Sequence, residues 1–93
     1  MNLVISNANN YFNCKGALDK YNIHVFKKQF RHVFRNANAI TVSIENLTRI
    51  DRYGVHAIAQ LQNEALTQNK RLSIIGFGQN DIFTHFKTEE VRQ

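Results

Sequence analysis

The sequence of 93 residues has no proline and a single cysteine, Cys14. One cysteine excludes an intramolecular disulfide and a cysteine-rich structural zinc site, and it favours a reducing compartment. Because proline, low-complexity stretches and internal repeats are all missing, nothing in the sequence indicates a linker. We therefore expect one domain that spans residues 1–93.

Long apolar runs are also missing. No run approaches the roughly 20 residues that a helix needs to span a bilayer. Residues 1–6 have neither the basic region nor the apolar stretch of a signal peptide. These absences predict a cytoplasmic protein that does not insert into a membrane.

The chemistry-bearing motifs of common enzymes are absent as well. No glycine-rich loop precedes a Lys-Ser or Lys-Thr pair, and the glycines at 76 and 78 lack the third glycine of a dinucleotide fingerprint. No histidine lies three to five residues from another, so no helical metal pair exists. Cys14 falls on an apolar alternation, which favours a small core residue over a nucleophile. We therefore expect no enzymatic activity, no metal and no cofactor.

The net charge is +5, which would suit an acidic partner, a nucleic acid or an anionic membrane, although such a charge also keeps a small domain soluble. A basic strip of Lys27, Lys28, Arg31 and Arg35 lies beside a stripe of phenylalanines. Those phenylalanines form the apolar face of a predicted helix, so stacking on bases is weakly supported and no nucleic acid is expected. The strip is either a solvated helix face or a surface for an acidic partner or a membrane.

Hydrophobic periodicity predicts the elements. Two short strands, near residues 2–6 and 11–15, are joined by an asparagine-rich hairpin turn. One amphipathic helix of about four turns follows, with Asp19 as its N-cap, and Asn36 to Asn38 end it. A third strand at 40–45 leads through a short loop to a second helix at Asp51. A fourth strand covers 71–75, and a short third helix begins at Asn80 or Asp81.

This order, ββαβαβα, predicts an α/β fold with a mixed sheet of about four strands. The strands alternate between apolar and polar residues, whereas strands buried on both faces would be continuously apolar. The helices are therefore expected mainly on one face. The other face should carry the polar members of the alternation, which are Tyr11, Asn13, Lys15, Thr41 and Ser43.

Two segments carry a family resemblance. The first is Gly16-Ala17-Leu18-Asp19, and the second runs from the third strand to Asp51-Arg52-Tyr53-Gly54. Together they resemble the STAS family, named for sulphate transporters and anti-sigma factor antagonists. That family shows Gly-x-Leu-Asp after its second strand, and Asp-Ser-Ser-Gly or Asp-Thr-x-Gly at its second helix.

The resemblance implies a cytoplasmic domain that docks another protein. In the antagonist branch, a partner kinase phosphorylates a serine at the start of the second helix. Here Tyr53 occupies that position, so the resemblance implies docking without serine phosphorylation. The alternative is a structural subunit of an ABC lipid-transport complex, because small STAS proteins of that kind also lack the serine pair.

The second helix is the predicted docking element. Asp19 and Asp51 should lie at one edge of the sheet, because both precede helices at the carboxyl ends of strands. The partner is expected to be an anti-sigma factor or kinase-like protein, or the ATPase or permease of a transporter. The predicted partner-binding residues are Asp19, Asp51, Arg52, Tyr53, Gly54, Val55 and His56.

Overall fold

The computed structural model describes residues 2–76. Four strands and three helices follow one another along this part of the chain. They are β1 (Leu3–Ala8), β2 (Tyr11–Leu18), α1 (Ile23–Phe30), α2 (Val33–Asn36), β3 (Ala39–Ile50), α3 (Arg52–Thr67) and β4 (Arg71–Ile75). The short helix predicted from Asn80 or Asp81 lies outside the described residues.

The four strands form one sheet in the order β1-β2-β3-β4. β1 and β2 are antiparallel, whereas β2 with β3 and β3 with β4 are parallel. Asn9 and Asn10 connect β1 to β2 with positive φ angles of 52° and 66°, as a two-residue hairpin turn requires and asparagine tolerates. The predicted mixed α/β sheet is confirmed.

The core lies between one face of the sheet and the helices. Apolar residues of the strands alternate onto this face, where they meet the phenylalanines of the first two helices and the apolar stripe of α3. The predicted polar residues lie on the other face. Ser43 differs from the expectation of an open position: it sits in central β3 between Asn13 and Ile75, and it is fully buried.

The single helix of four turns predicted after Asp19 is wrong. α1 ends at Phe30, the next residue is extended, and His32 adopts a left-handed conformation with φ 62° before α2 begins. Phe30 and Phe34, on either side of this break, are 3% and 2% exposed. The break thus keeps both aromatic rings in the core, where Phe30 also packs on Phe12 with 4.8 Å between ring centroids.

The short loop predicted before Asp51 is also wrong, because β3 continues to Ile50. Its second half pairs with β2 from Lys15 to Leu18, across two register shifts. Exposed polar residues in this half resemble a turn in sequence, yet their backbone remains in the parallel ladder. The amide of Asn46 donates to Oδ1 of Asn13 at 3.0 Å across the strand pair. The longer β3 brings the start of α3 directly beside the end of β2.

Candidate docking edge

The candidate site lies where β2 and β3 end side by side. Leu18 and Ile50 are paired in register, and the next residues along the two chains are Asp19 and Asp51. The N–H of Asp51 donates to the carbonyl of Leu18 at 3.3 Å. Both aspartates therefore lie at the same edge of the sheet, as the sequence predicted.

The carboxylate of Asp51 joins the β2–α1 loop to the start of α3 at this edge. Its Oδ1 accepts from the backbone N–H groups of Tyr53 and Gly54, each at 3.0 Å, which makes it the N-cap of α3. Its Oδ2 accepts from the N–H of Lys20 at 3.0 Å, across 31 positions of sequence. Three backbone donors thus hold this side chain, so its first role is to fix the geometry of the edge.

Asp19 does not cap α1 as predicted. Its Oδ1 accepts from the N–H groups of Tyr21 and Asn22 at 3.0 and 3.2 Å, while α1 begins only at Ile23 with Asn22 in the N-cap position. Asp19 therefore stabilises the turn before the helix. Its side chain is 5% exposed, so it supports the loop from inside.

Gly54 and Val55 are packed against the interior. A Cβ placed on Gly54 would lie 2.4 Å from the carbonyl oxygen of Leu18, so only glycine lets α3 start so close to β2. Val55 is 2% exposed and belongs to the stripe with which α3 faces the sheet. Placing Val55 at the centre of a partner surface is therefore wrong, because its side chain lies in the core.

Arg52, Tyr53 and His56 are exposed on the first turns of α3. The neighbouring β2–α1 loop adds two exposed residues, Lys20 and Tyr21. The hydrogen bond from Lys20 to Asp51 holds this loop against the start of α3. We call these five exposed residues, Lys20, Tyr21, Arg52, Tyr53 and His56, the docking edge.

Sequence reasoning missed the contribution of Lys20 and Tyr21. Tyr21 is 70% exposed and Tyr53 is 49% exposed. The ammonium of Lys20 lies 5.2 Å from the centroid of the Tyr21 ring, within the range of a cation–π contact. A signal was present: Tyr21 lies two residues after Asp19 of the Leu-Asp motif, yet it falls outside the apolar stripe of the next helix.

The docking edge carries two tyrosine rings, the imidazole of His56 and the cationic side chains of Lys20 and Arg52. Within residues 2–76, no three His, Cys, Asp or Glu side chains are grouped as metal ligands. Burial raises the pKa of the Cys14 thiol to about 12, so this thiol is protonated near neutral pH and is a poor nucleophile. No helix in the described part of the chain is long and apolar enough to cross a membrane.

Comparison with known proteins finds similarity at the level of structure. No protein-family model matches the sequence, and no curated protein matches it. The structure of the anti-sigma factor antagonist SpoIIAA in its unphosphorylated form matches with a TM-score of 0.62 and 16% identity, over 97% of each chain. A crystal structure of Mglu matches with a TM-score of 0.51 and 12% identity, over 76% of this chain and 18% of that one.

The two structures align over nearly the whole of both chains with 16% identity, so they share a fold while most aligned residues differ. SpoIIAA and this chain share the predicted arrangement of sheet and helices. The chain therefore shares the fold of this SpoIIAA structure, which is the fold that the family resemblance implied.

Proposed function

We propose that this chain is a regulatory protein-interaction domain of the anti-sigma factor antagonist type, which docks a partner protein through the docking edge. The observation that carries the proposal is the pair of exposed tyrosines, Tyr21 and Tyr53, held at one edge by the hydrogen bonds of Asp51. The structural match to an anti-sigma factor antagonist supports a partner that is a protein.

Tyrosine suits such a surface because its ring supplies apolar contact area and its hydroxyl supplies a hydrogen bond. Arg52 and Lys20 add charge that favours an acidic partner surface. The hydrogen bonds of Asp51 to the β2–α1 loop and to the first turn of α3 fix the backbone before binding. A fixed backbone lowers the entropy that association would otherwise lose.

Docking is proposed to occur without serine phosphorylation. Only Arg52 and Tyr53 lie between the N-cap Asp51 and Gly54, so the first turn of α3 offers no serine hydroxyl there. A phosphate at a helix N-terminus would add roughly −1.5 to −2 charge and change the docking surface. Without that modification, partner choice is proposed to rest on the two tyrosines and the cationic side chains.

The proposed partner is an anti-sigma factor or a kinase-like protein, and the domain is proposed to act in the cytoplasm without catalysis or nucleic acid. A structural subunit of an ABC lipid-transport complex is the second candidate. The feature that favours it is again the first turn of α3, where Arg52 and Tyr53 replace the serine pair. In that case the partner would be the transporter ATPase or permease.

Affinity purification of the full chain from its source cells tests this proposal, with partners identified by mass spectrometry. Tyr53→Ala and Arg52→Glu should each reduce recovery of the specific partner about tenfold, the loss typical of an interface anchor. The matched controls are Tyr11→Ala and Arg71→Glu, which change an exposed tyrosine and an exposed arginine away from the docking edge.

The identity of the recovered protein separates the two candidates. An anti-sigma factor or kinase supports the antagonist role, whereas an ATPase or permease supports the transporter role. Circular dichroism of each variant establishes that it is folded. If folded Tyr53→Ala and Arg52→Glu recover the same partner as their controls do, the docking edge is not the binding surface.

A further inference from the structure

We propose that the outer edge of β1 pairs with β1 of a second copy of this chain, joining two four-stranded sheets into one continuous sheet. Among residues 2–76, β1 is the terminal strand of the sheet and pairs with β2 on one side only. This surface is separate from the docking edge, which lies at the carboxyl ends of β2 and β3. The proposal therefore does not depend on the function proposed above.

The register of the hairpin tells which backbone groups point outward. In a two-residue hairpin the residues that flank the turn, Ala8 and Tyr11, exchange hydrogen bonds, and bonded pairs then alternate along the strands. The hydrogen bond from the N–H of Ala17 to the carbonyl of Asn2, at 3.1 Å, fits this alternation at the far end. Even-numbered residues therefore bond inward to β2. The outward N–H and C=O groups belong to Leu3, Ile5 and Asn7.

The outer edge of β1 carries none of the features that usually prevent edge pairing. Its six residues include no charge and no proline, and they pair with β2 without a register shift. Val4, which lies within this strand, is 59% exposed. The opposite edge of the sheet differs, because β4 has only five residues, begins at Arg71 and is preceded by Lys70.

The occupant is inferred from symmetry. An antiparallel pair of identical strands needs a two-fold axis, and the outward groups must match across it. A two-fold axis at Ile5 places Ile5 opposite its own copy and Leu3 opposite Asn7 of the second copy. All three outward residues of each strand then find partners, which makes six backbone hydrogen bonds by this geometry. In this register, Val4 lies across from Ser6 of the second copy.

Sedimentation velocity over a range from micromolar to millimolar concentration tests the pairing with the full chain. The wild type should shift from monomer to dimer as concentration rises. Val4→Glu/Ser6→Glu places like charges across the proposed interface twice, and it should weaken dimerisation about tenfold. Val4→Glu/Ser6→Lys places opposite charges across it and should keep or strengthen the dimer.

The two double variants are a matched pair, because both place a glutamate opposite Lys15 of the same chain, where its charge is favourable. A control with two new charges elsewhere, Gln29→Glu/Gln60→Glu on exposed helical positions, should dimerise like the wild type. A wild type that stays monomeric throughout, or double variants that dimerise equally, would overturn the proposal.

Amide hydrogen exchange provides a readout that is specific to β1. The N–H groups of Ile5 and Asn7 should gain protection as concentration rises, because they donate only in the dimer. The N–H of Ser6 bonds to β2 in either state and should be protected throughout. Concentration-dependent protection at other strands, with β1 unchanged, would place the interface elsewhere and contradict the pairing.

Discussion

Gly54 is where one added carbon atom has the largest expected effect on the docking edge. A Cβ there would lie 2.4 Å from the Leu18 carbonyl oxygen and 2.8 Å from Cγ1 of Ile50. Because the carbonyl belongs to the backbone of β2, it cannot move away cheaply. Gly54→Ala should therefore lower the free energy of unfolding by about 1–3 kcal/mol, although alanine favours helix.

Urea denaturation measures this change. Gln60→Ala, at an exposed position of the same helix, is the matched control and should alter the free energy of unfolding by less than about 0.5 kcal/mol. If Gly54→Ala stabilised the protein, as the helix propensity of alanine alone would dictate, the close approach of α3 to β2 would be incorrect.

The buried thiol of Cys14 should make the stability of the protein depend on pH in the alkaline range. Burial raises its pKa from 9.0 to about 12, so above pH 9 the unfolded chain loses this proton while the folded chain keeps it. The contribution of the thiol to stability is complete below pH 9 and declines as pH rises toward 12. The decline approaches about 1.4 kcal/mol per pH unit.

Urea denaturation of the wild type and Cys14→Ala, repeated between pH 8 and pH 10.5, isolates this contribution because other titrating groups affect both proteins equally. Cys14→Ala should be less stable at pH 8, since it leaves a small cavity. The stability gap should then narrow above pH 9. A gap that stays constant with pH would show that the thiol is accessible to water in the folded state.

At the scale of elements, the beginning of α3 depends on Asp51, whose carboxylate accepts from two N–H groups of the helix and from Lys20. Asp51→Ala removes all three hydrogen bonds, and it should lower the free energy of unfolding by about 2 kcal/mol. Asp51→Asn keeps one acceptor oxygen and should cost less.

Urea denaturation of the two Asp51 variants ranks them. Amide exchange at Lys20 adds a local readout, because this N–H loses its acceptor in Asp51→Ala. Unchanged amide exchange at Lys20, together with equal stability of both variants, would mean that the carboxylate does not join the β2–α1 loop to α3.

The break between α1 and α2 gives a second prediction at this scale, in which a substitution stabilises the protein. His32 adopts φ 62°, a conformation that costs a residue with a side chain roughly 1–2 kcal/mol and costs glycine little. His32→Gly should therefore raise the midpoint of thermal unfolding, with a gain of about 0.5–1 kcal/mol.

Gln29→Gly is the contrasting control, since it places glycine inside α1 and should cost about 1 kcal/mol. A uniform helix from Ile23 to Asn36 would make both substitutions destabilising. Opposite signs in differential scanning calorimetry would establish the break in solution.

Sequence reasoning located α3 and the hairpin because both depend on local signals, an aspartate before an amphipathic stripe and an asparagine turn. It missed the break at His32 because the apolar spacing of Phe30, Val33 and Phe34 continues across it. It also ended β3 too early. The polar residues at 45, 46, 48 and 49 resemble a loop in sequence until their strand's pairing with β2 is known.

At the scale of the whole molecule, the sheet has two surfaces with separate proposed uses. The docking edge collects exposed side chains at the carboxyl ends of two parallel strands, whereas the outer edge of β1 offers backbone groups. A partner that binds the docking edge leaves β1 free. Partner capture should therefore persist in the Val4→Glu/Ser6→Glu variant, and the two proposals can fail independently.

The sequence alone predicted the four strands, the mixed α/β fold and the family resemblance, because alternation, capping and turn chemistry act between near neighbours. It also placed the aspartates at one edge, since parallel strands bring their carboxyl ends together. Only the tertiary structure decided which residues of that edge are exposed. It buried Asp19 and Val55 and exposed Tyr21, because burial depends on what packs against a residue from distant parts of the chain.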